Sequence, residues 1–127
     1  MIEESRRHRH RARRPLDVVV ARWQVELPEV VCHTAYYAMY HAAVALFASR
    51  SLALPKTHAG LNAKFSENFR QVQPDGRDQL GRLARALDRR LIADYDAIDT
   101  LTVDDARDAK DDAVAFVSFC EKLIDGA

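Results

Sequence analysis

A guanidinium and a carboxylate one helical turn apart, in the run Arg90-Leu-Ile-Ala-Asp94-Tyr95, are the side chains in this sequence best suited to chemistry. Arginine holds a phosphate through paired hydrogen bonds, and a carboxylate beside it can take a proton. In a helix over about 78–95, Leu80, Leu83, Ala84, Leu87, Leu91 and Tyr95 form a core stripe. Asp94 projects onto the sector of Leu83, Leu87 and Leu91, with Arg90 at its edge, where an unpaired carboxylate would be costly to desolvate. The expectation is an Arg90–Asp94 ion pair at the buried seam. Base before acid is the less favourable order for plain helix support, so surface stabilisation is the weaker explanation. Arg82, Arg85 and Arg89 point away from the stripe and read as a solvated face.

Other reactive side chains offer less. His33, His41 and His58 could be imagined around a metal, but His33 and His41 are eight residues apart and no carboxylate lies between them. Hydrogen-bonded, structural histidines are expected, with no metal and no cofactor assigned. Tyr36, Tyr37 and Tyr40 read as core and interface packing. Cys32 and Cys120 fall at apolar helical positions without CxxC spacing and read as reduced thiols of a cytoplasmic protein. GxGxxG, GKS/T, GxSxG and HExxH are all missing, which removes the nucleotide-fold, serine-hydrolase and zinc-protease readings. Ser5 to Arg14 packs six arginines and two histidines into a self-repelling row. It reads as a solvated arm over 1–14, flexible or exposed unless something anionic meets it, or as the outward side of a first helix. RNA binding through it is an alternative, although no aromatic is interleaved to stack bases.

The elements that must position these groups are helices. Val30 to Ser49 runs twenty residues without a formal charge, about five turns and apolar nearly all round. Such a helix is surrounded by protein or by lipid. Two histidines and three tyrosines argue against membrane depth, so it reads as the centre of a bundle. A first helix is expected over 15–26, carrying Leu16, Val19, Val20, Trp23 and Leu27 and joined through Leu27-Pro28-Glu29 to an antiparallel neighbour. A third opens at Thr57 or His58 and buries Leu61, Phe65, Phe69 and Val72 before the turn Gln73-Pro74-Asp75-Gly76. Following a turn at 99–102, a capping box at Thr102 to Asp105 starts a last helix over 103–125. Its stripe is Ala106, Ala109, Ala113, Phe116, Val117, Cys120 and Ile124. The fold class is all-α, an antiparallel up-and-down bundle of four or five helices over 15–127. With 127 residues, 48% hydrophobic and 30% charged, the chain fits one domain, and its net charge of zero gives no global field for nucleic acid or membrane. That neutrality is a cancellation, with arginines crowded at the start and aspartates in excess after Asp94.

AYYAMYHAAVALF (35–47), PKTHAGLNAKF (55–65), LGRLARALDRRLIADYD (80–96) and DDAVAFVSFCEKL (111–123) together resemble the HEPN superfamily. More narrowly they resemble its small stand-alone branch, whose genes often neighbour a minimal nucleotidyltransferase. The likeness covers about three quarters of the chain and leaves out the N-terminal arm. It implies a helical bundle, a symmetric homodimer and a toxin role beside a nucleotidyltransferase partner. It also implies an endoribonuclease site in which an arginine is followed, after four to six intervening residues, by histidine. No arginine here stands at that spacing from any histidine. Arg90, Asp94 and Tyr95 stand in its place, and an aspartate held by arginine is a feeble proton acceptor. The first expectation is therefore a dimeric module that binds its partner or a nucleotide-like ligand through Arg90, Asp94, Tyr95, His58 and Lys56. The alternative is a metal-independent endoribonuclease, with Arg90 and Asp94 as tentative catalytic residues and His58 as a second proton carrier. In some toxin relatives a tyrosine just after the motif is adenylylated by the partner, a role that would fall to Tyr95.

Overall fold

The computed structural model describes residues 2–95 and 100–126, and these form five helices with no strand among them. They are α1 (Ile2–Arg22), α2 (Pro28–Ser49), α3 (His58–Phe69), α4 (Gly76–Tyr95) and α5 (Val103–Gly126). The expected turn at 99–102 lies partly outside the described residues, as does Asp96 of the ADYD run.

α2 is the centre. From His41 to Ala48 every residue is buried, and the alanines among them let neighbouring helices approach closely. The segment has the length and hydropathy to cross a membrane, but 72% of its apolar window is buried inside the protein. α1 lies antiparallel on it: the Ser5 hydroxyl donates to the Ala45 carbonyl at 2.9 Å and His8 meets His41 three residues on. α5 runs in the same direction as α2, with Cys32 beside Asp105 and Arg50 beside Leu123. α4 runs against both. α3 departs from strict up-and-down order. The loop over 50–57 carries the chain back, so His58 sits against Tyr36 and Tyr40 while Phe69 stacks on Phe47 at 5.8 Å. Phe65 then meets Phe69 and Phe116, closing an aromatic core.

The first helix corrects the expectation of an arm followed by a helix over 15–26. One helix begins at Ile2, carries Pro15 inside it and ends at Arg22. Proline deprives the Arg11 carbonyl of its helical donor, but Arg11 is exposed and water can serve it. The segment is ordered by its apolar side, since Ser5, Ala12, Leu16 and Val19 are buried, and by anions at the end of α5. Arg9 grips Asp125 with two hydrogen bonds, 2.6 and 2.9 Å, and Glu121 at 3.2 Å; Arg13 also pairs with Glu121. The chain's own acidic end thus relieves the arginine row, leaving Arg6, Arg7, Arg11, Arg14 and His10 on the outer side.

Local signals fix the remaining helix ends. The Thr57 hydroxyl accepts from the Gly60 amide at 2.9 Å. Thr102 and Asp105 cap each other reciprocally, 2.8 Å from the Thr102 amide to the carboxylate and 3.2 Å from the Asp105 amide to the hydroxyl. The α3–α4 turn closes so tightly at Gly76 that a Cβ there would lie 2.3 Å from the Phe69 carbonyl oxygen and 2.8 Å from that of Arg70. Both are backbone atoms, so the turn itself must move. Gly76→Ala is expected to cost about 1–3 kcal/mol, read as a lower urea midpoint; an unchanged midpoint would show that the turn yields freely.

Candidate functional site

α2 sets His33, Tyr36, Tyr37 and Tyr40 along one side at helical spacing. With His58 from the start of α3 and Arg90 from α4 they line a cleft of about 260 Å³. The Arg90 guanidinium carbon lies 5.6 Å from the centre of the Tyr36 ring, within cation–π range. Its Nε is 3.6 Å from Asp94 Oδ2, an ion pair too long for a strong hydrogen bond. The other Asp94 oxygen, Oδ1, lies 3.2 Å from His33 Nδ1. Asp94 thus bridges α4 to α2 while holding the cation of the cleft.

On the opposite wall the Tyr36 hydroxyl is 2.8 Å from His58 Nδ1. Burial pushes the Tyr36 phenol up to about 12, partly countered by Arg90, so it keeps its proton. Burial, and then the Arg90 charge, lower the His58 pKa below 6.5, so the imidazole is neutral near pH 7. A protonated phenol beside a neutral imidazole suits donation from Tyr36 to Nδ1, which leaves the ring proton on Nε2. The cleft therefore offers one fixed cation, aromatic faces and two imidazoles. Those are the parts for holding a phosphate beside a base or an aromatic ring.

Arg90, Asp94 and His58 are thus gathered at one place; the expected Arg90–Asp94 contact is present, but Asp94 is an exposed residue at the last turn of α4, so the pair does not lie at a buried seam. Lys56 is exposed on the loop before α3 and does not line the cleft. Tyr95 does not lie on a core stripe: it is 80% exposed, and Leu91 and Ile92 are exposed with it. The buried stripe of α4 fades after Leu87, and the last turn carries the Asp94 contacts instead. Sequence spacing missed His33, because its partner Asp94 is sixty-one residues away. The three central histidines take separate partners: His33 binds Asp94, His41 binds His8 and His58 binds Tyr36. Cys32 and Cys120 are both free and buried.

A further correction concerns the other side of α4. Arg82, Arg85 and Arg89 are not a free solvated face, because all three converge on Asp112 of α5, which is only 8% exposed. Nothing in the α4 pattern alone could reveal that carboxylate.

A five-helix bundle with a polar cleft between α2, α3 and α4 is the class of protein defined here. The family model of the HEPN domain matches residues 5–123, and the chain belongs to that family. The match starts at Ser5, so it takes in the arginine-rich segment expected to stand outside the likeness. A search among curated proteins gives no match.

Proposed function

We propose that this HEPN-domain protein is the HEPN component of a nucleotidyltransferase-associated toxin–antitoxin pair, acting as a homodimer that binds its partner or a nucleotide at the Arg90–Asp94–Tyr95 corner. The observation that carries this reading is the double engagement of Asp94 by Arg90 and His33. The carboxylate standing where ribonuclease relatives carry histidine is employed in fixing the cleft, which suits it to recognition. Exposure of the Tyr95 hydroxyl on the same helix end also supports it, since a phenol in water is open to adenylyl transfer. Light scattering of the purified protein is expected to give about twice 14.4 kDa. A tagged copy should recover a nucleotidyltransferase that, with ATP, adds nucleotidyl mass lost in Tyr95→Phe. A monomer that captures no such enzyme overturns the reading.

A second reading, a metal-independent endoribonuclease, is favoured by one observation: His33 and His58 both reach the Arg90 cleft although neither stands at motif spacing from an arginine. Arg90 would stabilise the charge on the reacting phosphate, and neutral His58, or Asp94, would carry the proton. Under this reading Arg90→Ala lowers RNA cleavage by about 100-fold or more in a fluorogenic RNA assay. Equal cleavage by both proteins removes Arg90 from the mechanism.

A further inference from the structure

One buried carboxylate facing three guanidiniums is more positive charge than a helix clamp requires. Arg89, the least exposed of the three, holds Asp112 Oδ2 at 2.9 Å and already gives the carboxylate a close partner. Arg85 approaches the other oxygen at 3.3 Å, and Arg82 adds an ion contact to it at 3.5 Å. These two bring like charge towards like charge and sacrifice side-chain freedom for weak additional contacts. Their side chains stay partly open, 55% exposed for Arg85 and 31% for Arg82. Both line an open groove of about 480 Å³ together with Arg77, Asp78 and Gly81. Its lining holds three guanidiniums and one carboxylate, Asp78; Asp112 contacts two of those guanidiniums and also pairs with Arg89. A Cβ at Gly81 would lie 3.3 Å from Arg85 Nη1, the mobile end of a flexible side chain that can yield by a few tenths of an ångström.

We propose that this groove is a phosphate-group site, with Arg82 and Arg85 as its donors, Arg77 as a flanking charge and Asp112 as the carboxylate that fixes the two donors. Planar guanidiniums present paired N–H groups that match phosphate oxygens, and a tetrahedral dianion supplies the charge the cluster lacks. The groups here face α5, whereas Arg90 faces α2, so the site stands apart from the cleft and does not rest on the function proposed for it. A free phosphate and the terminal phosphate of a nucleotide share this chemistry.

Calorimetric titration of the full chain with inorganic phosphate, and separately with ADP, at chloride-matched ionic strength tests the assignment. Saturable phosphate binding is expected, weakened about tenfold or more by Arg82→Gln with Arg85→Gln, and kept by Arg22→Gln on α1. ADP bound more tightly than phosphate, with the same sensitivity to the pair of substitutions, identifies a nucleotide as the source; equal affinities identify free phosphate. If the double variant fails to fold, Arg85→Gln alone, at the most exposed position, carries the comparison. Undetectable phosphate binding, or a response identical in wild type and variant, overturns the site and leaves a cluster that only clamps α4 to α5.

Discussion

Asp112→Ala is expected to lower the unfolding free energy by about 3 kcal/mol, with a fall in Tm of roughly 10 °C. The carboxylate is nearly buried and is the shared counter-ion of Arg82, Arg85 and Arg89. Removing it leaves three guanidiniums repelling one another. Arg89, with a side chain only 14% exposed, has little water to replace its 2.9 Å partner. The exposed edges of Arg82 and Arg85 recover some hydration, which keeps the loss below the upper range for a broken buried pair. Asp111→Ala one position earlier removes a carboxylate that is 58% exposed and should change stability by less than about 0.5 kcal/mol. Chemical denaturation of the two variants side by side checks the argument. A loss as small for Asp112 as for Asp111 would mean that the arginines are solvated independently and do not join α4 to α5.

Acidification is the second large effect, and it acts on the contact between α1 and α2. His8 Nδ1 and His41 Nδ1 are 2.8 Å apart, a hydrogen bond that needs one nitrogen bare. His41 is 6% exposed, with Tyr37 and Tyr40 packed edge-on against its ring. Burial first, then the charges of His8 and Arg11, lower its pKa from 6.5 to about 4. His8 is lowered as well, by burial and by Arg11 and Arg7, against an opposing pull from Glu4. The unfolded chain therefore takes up a proton near pH 6.5 that the folded protein refuses until about pH 4. Between those values the unfolded state binds more protons, so stability falls as pH falls and levels off below about pH 4. A shift of this size corresponds to about 3 kcal/mol from His41 alone. Paired carboxylates also lose stabilisation in acid, so the contribution is isolated by difference. His41→Gln should flatten the stability profile between pH 6.5 and 4 relative to wild type. Hydrogen exchange should show the first half of α1 losing protection earliest in the wild type. Parallel profiles would place the acid sensitivity elsewhere.

The helical class, the central position of residues 30–49, the stripe of α3, the stripe of α5 and the capping box at Thr102 were legible because each is a pattern within one or two turns, whereas the choice of Thr57 over His58 as the cap of α3 came from the structure. Leu61, Phe65 and Phe69 repeat every four residues, and that spacing alone predicts the face they bury. The Arg90–Asp94 contact was legible for the same reason, being within one helix, but its expected burial was not met, because Asp94 is exposed where the neighbouring helices no longer cover α4. Of the two readings of Ser5 to Arg14, the outward side of a first helix holds and the separate arm does not, because six arginines outweigh Ser5 and Ala12 in any local count. What orders the segment is an acidic helix end more than a hundred residues later. Tyr95 failed in the opposite direction, since the stripe continues in projection beyond the point where neighbouring helices still cover it.

By itself, then, the sequence determined the last four helices, most of their buried faces and the family likeness, because hydrophobic period and capping chemistry act between residues three or four apart. Only the tertiary structure decided which charges meet. It joined His33 to Asp94, gave His58 to Tyr36, set His8 against His41 and brought three arginines of α4 to Asp112 of α5. Each of those contacts links different helices. Charge and hydrogen bonding depend on distance in space, and a side chain's neighbours across a bundle leave no period in its own segment.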